Sequence, residues 1–323
     1  SKQCYNSLLI WALMAHILFK EKKVKTAVKY LFLTGYFLTF SANAALKVFA
    51  CEPEWADLAK TIGGKHVMVT QATTARQDPH QIEARPTLLA SARKADILVC
   101  TGAELEDGWL PLIQQKVNNP KILPGQPGHF MAANFIKLLD VPREIDRIHG
   151  DIHAQGNPHI QLDPQNYIVI AKALSQRLEQ LDPIHAHTYR ENALAFINEW
   201  EKAIQQWTVQ AEILKGMPVV TYHHSWVYLN NWLGLKQIAT LEPKPGIPPS
   251  AAHLNEILNQ VKNQNIKAIL CSPYESQEAA KWLSKKINAP IVMLPFTVGG
   301  TENTKDLKSL FDVTIEKLTI AAQ

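Results

Sequence analysis

The chain has 323 residues, 46% of them hydrophobic, with no low-complexity tract, which is material for two ordinary domains and excludes a disordered or fibrous protein. Its formal charge of +4 is set by the first 44 residues, which carry +5 with six Lys and one Glu; the remainder has 27 Lys and Arg against 28 Asp and Glu. A net of −1 over that remainder leaves no electrostatic footprint for nucleic acid, which is excluded as a partner.

Residues 1–44 read as a secretory leader. Lys20 to Lys29 is basic, Tyr30 to Phe40 is an apolar run too short to span a bilayer comfortably, and Ala42-Asn43-Ala44 supplies small residues before a cut ahead of Ala45. Met14 is the candidate true start, and the rival reading of the segment is an N-terminal anchor of two short helices. The leader predicts export to the periplasm. Val48-Phe49-Ala50-Cys51 is a poor lipidation signal, because Phe49 is bulky where a small residue is wanted. Cys4 leaves with the leader, so Cys51, Cys100 and Cys271 remain, an odd number that excludes a full disulfide framework.

From Ala45 short apolar runs alternate with helical stretches, the pattern of parallel strands joined by crossover helices. Leu46 to Cys51 reads as a strand, Trp55 to Ile62 as a helix and His66 to Ala72 as a second strand, followed by a polar loop, Thr73 to His80. A helix over Pro86 to Arg93, a strand at Ile97 to Cys100 and a helix around Leu105 to Gln115 come next. After Lys121 to Leu123 the signal weakens as far as His159. Asp163-Pro164 then opens a helix, with Asp163 as cap and Pro164 at its first position. Ile168, Ile170, Ala171, Leu174, Leu178 and Leu181 keep helical spacing up to Asp182-Pro183.

Ile184 to Leu214 contains no Gly or Pro and predicts a rod of about 45 Å at 1.5 Å per residue. Such a helix between lobes permits only small relative motion. Strand and helix then alternate again: strands at Pro218 to Tyr222, Gln237 to Leu241, Ile266 to Cys271 and Pro290 to Leu294, helices at Trp226 to Leu233, Ala251 to Gln264, Glu278 to Ile287 and Leu307 to Ala322. The domains predicted are therefore 45–183, a linking helix 184–215, and 216–323.

Three histidines share a setting. His80 lies in Asp78-Pro79-His80 after the second strand, His159 in Asn157-Pro158-His159, and His223 at the end of the strand Val219 to Tyr222. Ligands of open parallel sheets collect beyond the C-terminal strand ends, and proline before His159 leaves it little freedom. A lone histidine in a turn is ordinarily a hydrogen-bonded surface residue; the repeated Asp/Asn-Pro-His context lifts the first two. His149 and His153, without bulky apolar neighbours, read as a solvated loop rather than a second metal site. His66, His129, His185, His187 and His253 show no constraint.

Further segments are distinctive: Lys94-Ala95-Asp96-Ile97-Leu98-Val99 running into Gly102 and Leu105-Glu106, Gly156-Asn157-Pro158-His159 with Leu162-Asp163-Pro164, Tyr189-Arg190-Glu191-Asn192-Ala193, and Val219-Val220-Thr221-Tyr222-His223. Together with Asp78-Pro79-His80 they make the chain resemble the metal-binding solute receptors of ABC importers for zinc and manganese, the cluster A-I type, over Ala45 to Gln323. The resemblance implies two α/β lobes of parallel sheet joined by one rigid backbone helix. It also implies that His80, His159 and His223 take the ligand positions, with His224 where the family usually has a non-ligand residue.

Departures matter. Gln161 stands where the family often has Trp, and Leu294-Pro295-Phe296-Thr297-Val298-Gly299-Gly300 offers no carboxylate where many relatives supply a fourth ligand from an Asp. The candidates for that position are Glu52, Glu275 and water. The long His-rich loop of many zinc receptors is reduced to His149 and His153. Asp78 and Asp163 are candidates to orient imidazoles from behind, Glu242 to Gly246 reads as a rigid structural loop, and Cys51 and Cys100 read as buried thiols in preference to a disulfide.

Three imidazoles favour Zn²⁺, whereas Mn²⁺ wants more oxygen. The expectation is a monomeric periplasmic receptor that catalyses nothing and hands Zn²⁺ to an inner-membrane ABC permease with its cytoplasmic ATPase, a periplasmic metallochaperone being a further candidate partner. The rivals are a secreted zinc hydrolase, for which no His-Glu-x-x-His is present, and a manganese receptor or adhesin of the same fold.

Overall fold

The structure, a computed structural model, describes residues 44–142, 153–244 and 246–323. Residues 1–43 of the leader, Met14 among them, and His149 lie outside the described residues.

Each half of the described chain is built on a four-stranded parallel sheet. In the first, β1 (Leu46–Ala50), β2 (Val67–Gln71), β3 (Ile97–Cys100) and β4 (His129–Met131) lie in the order β2-β1-β3-β4. In the second, β5 (Pro218–Thr221), β6 (Lys236–Thr240), β7 (Ala268–Cys271) and β8 (Ile291–Met293) lie in the order β6-β5-β7-β8. One topology is thus used twice. The central strands β3 and β7 are buried at every position, and this is why they read as unbroken apolar runs. The edge strands β2 and β6 are only partly covered and admit Thr70, Gln71, Lys236 and Gln237. β4 escapes sequence reading because three residues carry no period; its existence follows from pairing Leu98 with His129 and Cys100 with Met131.

Proline starts most of the first-half helices: α1 (Pro53–Gly63), α2 (Pro86–Lys94) and α3 (Leu110–Val117) each carry it in the first turn, where its missing N–H costs nothing. α3 begins later than the spacing predicts, because Ala103 and Glu104 take left-handed backbone, φ 50° and 69°, and turn the chain first. α4 (Pro164–Leu181) is capped by Asp163, whose Oδ1 accepts the Gln165 N–H at 2.9 Å. α5 (Ala186–Gln210) is extended by 3₁₀ turns at Pro183–His185 and Ala211–Leu214. α6 (Val227–Leu233), α7 (Ala251–Val261), α8 (Glu278–Ile287) and α9 (Leu307–Ala322) complete the second half.

One hydrophobic core runs through both halves. It joins Val48 and Ile97 of the first sheet to Val219 and Leu270 of the second through Tyr167, Trp200, Trp207 and Phe311 on α4, α5 and α9. Trp207 packs on Trp200 and on Phe311, ring centres 5.2 Å apart in both cases, and its Nε1–H donates to Asp312 at 2.8 Å. Each such side chain stabilises the fold by about 1.5–3 kcal/mol when buried. The halves cannot swing apart without exposing these rings, so α5 is a shared spine rather than a bare linker.

Cys51 and Cys100 form a disulfide, Cα atoms 4.8 Å apart, which corrects the expectation of two buried thiols. The sheet order decides this: β1 and β3 are neighbours in the register Ala50 to Val99, so the following residues face each other. Among the described residues, Cys271 is the one free thiol, and it is buried.

Between the halves, Glu54 of α1 is 1% exposed and accepts a hydrogen bond from Thr297 Oγ1. Burial pushes its carboxyl up to about 7. The native state therefore holds a proton that the unfolded chain releases near 4.5, and the stability Glu54 confers is complete below that pH and lost as pH rises through about 7. Glu54→Gln keeps the acceptor without the charge. It is expected to match the wild type at pH 4 and to exceed its unfolding free energy by up to about 3 kcal/mol at pH 8; a difference independent of pH in denaturant titrations would show that Glu54 is not ionising there.

Candidate metal centre

Strand ends supply most of the site. His80 belongs to the loop after β2, His223 follows β5 by two residues, Glu242 follows β6 by two, and Glu275 lies in the turn after β7. His159 arrives from the segment ahead of α4. Ligand sites of doubly wound sheets gather at this edge.

His80 is set by a turn. Asp78 Oδ1 accepts both its backbone N–H, at 2.9 Å, and its ring Nδ1–H, at 2.8 Å, while the Pro79 carbonyl accepts the Nε1–H of buried Trp109 at 2.9 Å. Gly108 makes room: a Cβ there would meet the His80 carbonyl at 2.6 Å. His159 is 1% exposed, its backbone N–H donating to Asn157 Oδ1 at 3.1 Å and its ring edge-on to Phe296 at 5.3 Å. His223 places Nδ1 2.6 Å from Glu242 Oε2.

The three rings meet. Their centres are 5.3, 5.8 and 5.6 Å apart, and their planes cross at 73°, 75° and 83°. One nitrogen of each lies within 4.8 Å of one nitrogen of both others. Four-coordinate zinc with Zn–N of about 2.1 Å needs nitrogens roughly 3.4 Å apart, a small contraction. Carboxylates lie against Nδ1 of His80 and of His223, which leaves Nε2 of each ring as its ligand nitrogen. Burial, then the neighbouring His80 and His223 charges, push the His159 imidazole well below its ordinary pKa. His159 Nδ1 is buried without a hydrogen-bond partner among the described residues. Convergent imidazole nitrogens suit a borderline-soft divalent cation.

The two carboxylates considered for a fourth position part company. Glu52 turns away: its Oε2 accepts from Thr101 Oγ1 at 3.1 Å beside Glu106, and burial holds its carboxyl well above the usual range. Glu275 borders the site, lining a cavity of about 50 Å³ with His80, His223, Asp78, Glu242 and Tyr274. Its Oε2 accepts the Ser272 N–H at 2.6 Å, while Oε1 is buried without a hydrogen-bond partner among the described residues. Burial pushes its pKa up to about 8, with help from the Glu242 and Asp78 charges. Among the described residues, no oxygen of Glu275 falls within the 4.8 Å grouping of the three imidazoles.

Sequence reading placed other residues differently. Asp163 serves as the α4 cap, its side chain accepting the Gln165 N–H. Glu242, read as part of a structural loop, supports His223; the rule that pointed to His223, a position just past a strand end, would have found it. His153, read as solvated, stacks on His80 at 5.3 Å, and burial pushes its pKa down to about 4. No local pattern announces that contact. Beyond His80 and His153 lies an opening of about 830 Å³ whose walls include Glu83, Glu104 and Asp107, an acidic approach for a cation. His224 faces outward, with Nε2 2.7 Å from Asp140.

Residues 48–321 match the family model of ZnuA, zinc-uptake complex component A, periplasmic. The chain belongs to this family. It is 27% identical over 254 residues to the zinc-binding lipoprotein AdcA of Streptococcus pneumoniae (strain ATCC BAA-255 / R6), a match covering 77% of this chain and 50% of that protein. The chain thus spans about half the length of this curated relative. With the manganese ABC transporter substrate-binding lipoprotein PsaA of Streptococcus pneumoniae it shares 22% identity over 263 residues, 80% of this chain and 81% of the relative. In structure it is similar to a crystal structure of ZnuA, with a TM-score of 0.72, 22% identity, and coverage of 86% of this chain and 100% of the other. The Cd-bound periplasmic metal binding protein from Candidatus Liberibacter asiaticus gives a TM-score of 0.70 at 20% identity, over 85% of this chain and 99% of that one. At these identities the two structures establish the ZnuA fold for this chain.

Proposed function

We propose that this ZnuA-family chain is the periplasmic receptor of a zinc importer. It captures Zn²⁺ between its lobes with His80, His159 and His223 and releases it to an ABC permease driven by a cytoplasmic ATPase. The observation that carries the reading is the convergence of three imidazole nitrogens within 4.8 Å, two of the rings backed by carboxylates. A nitrogen-rich triad favours zinc over manganese, which prefers oxygen donors and stands lowest in the divalent affinity order. A water held by Glu275 Oε1 takes the fourth position, since that oxygen is buried, without a partner among the described residues, and beside the cavity. The lobes divide as 45–183 and 216–323 with 184–215 between them, and the chain turns nothing over.

Calorimetric titration of the metal-free protein tests this. One Zn²⁺ per chain, bound far more tightly than Mn²⁺ and without hydrolysis of ester or peptide substrates in the zinc-loaded form, is the expected outcome. Equal or tighter Mn²⁺ binding would assign the receptor to manganese instead, and zinc-dependent turnover would make it an enzyme.

A further inference from the structure

We propose that Asn157 and Tyr228 form an interlobe pin that holds His159 and His223 as a ready-made pair before metal arrives, leaving His80 to complete the site. The inference rests on the receptor reading above and adds an order of engagement to it.

Asn157 is 8% exposed and uses both ends of its amide on the two ligand-bearing segments. Its Oδ1 accepts the His159 N–H at 3.1 Å, and its Nδ2 donates to the carbonyl of His224, the neighbour of His223, at 2.8 Å. Its main chain is tied as well. The Asn157 N–H donates to the Leu139 carbonyl at 2.8 Å. The Asn157 carbonyl accepts the Tyr228 hydroxyl at 2.8 Å, and the same hydroxyl accepts the Leu139 N–H at 3.0 Å. Tyr228, 2% exposed on α6, therefore stands as a rung between two first-half segments. The knot is tight enough to require glycine beside it: Gly156 has φ 125°, and a Cβ there would come 2.8 Å from the Leu139 carbonyl.

Buried hydrogen bonds of this kind are costly to leave half made, so these persist without metal. The exposed His224–Asp140 pair, both side chains 48% accessible, adds little by comparison. The bonds that set His80, from Asp78 and from Trp109 to Pro79, stay within the first half. Two imidazoles are thus fixed to each other across the lobes, while the third rides on a loop of its own.

Zn²⁺ dissociation into excess chelator, measured for Tyr228→Phe alone and combined with His80→Ala or His159→Ala, decides the matter. Tyr228→Phe is expected to speed release about tenfold, the lower end of what losing a group behind a metal ligand costs, and to alter the Co²⁺ visible spectrum of the site. The same factor should appear on top of His80→Ala, where the pinned pair is all that remains, and vanish on top of His159→Ala, where the pair is gone. Asn157→Ser, which keeps a short acceptor for His159 but cannot span to His224, should reproduce the pattern if Tyr228→Phe folds poorly. A Tyr228→Phe effect equally large with His159→Ala, or no change in release and spectrum in the wild-type background, would overturn the pin. Zn²⁺ binding indifferent to His80→Ala and His159→Ala alike would instead remove the receptor reading itself.

Discussion

Replacing His159 by alanine is expected to weaken Zn²⁺ binding by more than about 100-fold, beyond the 10–100-fold usual for losing a partner behind a ligand, while leaving the metal-free protein almost as stable as before. The separation of the two effects follows from where the ring sits. It is 1% exposed and packed edge-on to Phe296, so truncation leaves a cavity. It also carries a buried Nδ1 without a partner, whose desolvation already costs about 1–3 kcal/mol. Removing ring and orphan together leaves a small net change. Metal linkage behaves otherwise: a ligand at 100 times its dissociation constant stabilises the native state by about 2.7 kcal/mol, and that increment disappears with the site. Thermal unfolding with and without one equivalent of Zn²⁺ reads both quantities. A variant that loses stability without metal but keeps the zinc-induced gain would show His159 to be a core residue only.

Breaking the Cys51–Cys100 bridge by alanine substitution at both positions is expected to cost about 4 kcal/mol of unfolding free energy. The bridge closes a loop over a sequence separation of 49, and the entropy restored to the unfolded chain grows with the logarithm of loop length. About 10 °C in Tm is the corresponding shift for a protein of this class. Zinc affinity should survive within a few fold. The imidazoles are held by Asp78, Asn157 and Glu242 on other segments, and the residues after the cysteines, Glu52 and Thr101, bond to each other rather than to the site. Denaturation of the oxidised wild type beside the double variant, with zinc titrations of both, separates scaffold from site. Equal stability would mean that the folded sheet, not the bridge, sets the β1–β3 contact.

The repeated architecture was legible because the signals that define it are local. Ile97-Leu98-Val99-Cys100 and Ala268-Ile269-Leu270-Cys271 are apolar at every position because both faces are covered. Asp163-Pro164 marks a helix start by a capping bond that spans two residues, and the absence of Gly and Pro from 184 to 214 leaves the long spine uninterrupted. The Asp-Pro-His and Asn-Pro-His turns singled out two histidines through backbone stiffness, and strand-end position singled out the third.

What the sequence by itself determined, then, was the order and type of most of the elements, the short strand β4 excepted, with the two lobes and three histidines worth watching. Tertiary structure alone decided which distant groups meet. The register of β1 on β3 brought Cys51 to Cys100, the packing of α6 brought Tyr228 to Asn157, the end of β6 brought Glu242 behind His223, and a segment without any period brought His153 against His80. The physical reason is the same in each case. Propensity, capping and turn chemistry act over a few residues and are written in neighbouring letters, whereas these contacts join residues 19 to 73 positions apart and form only when burial of the shared core fixes the strand order and the angle between the lobes.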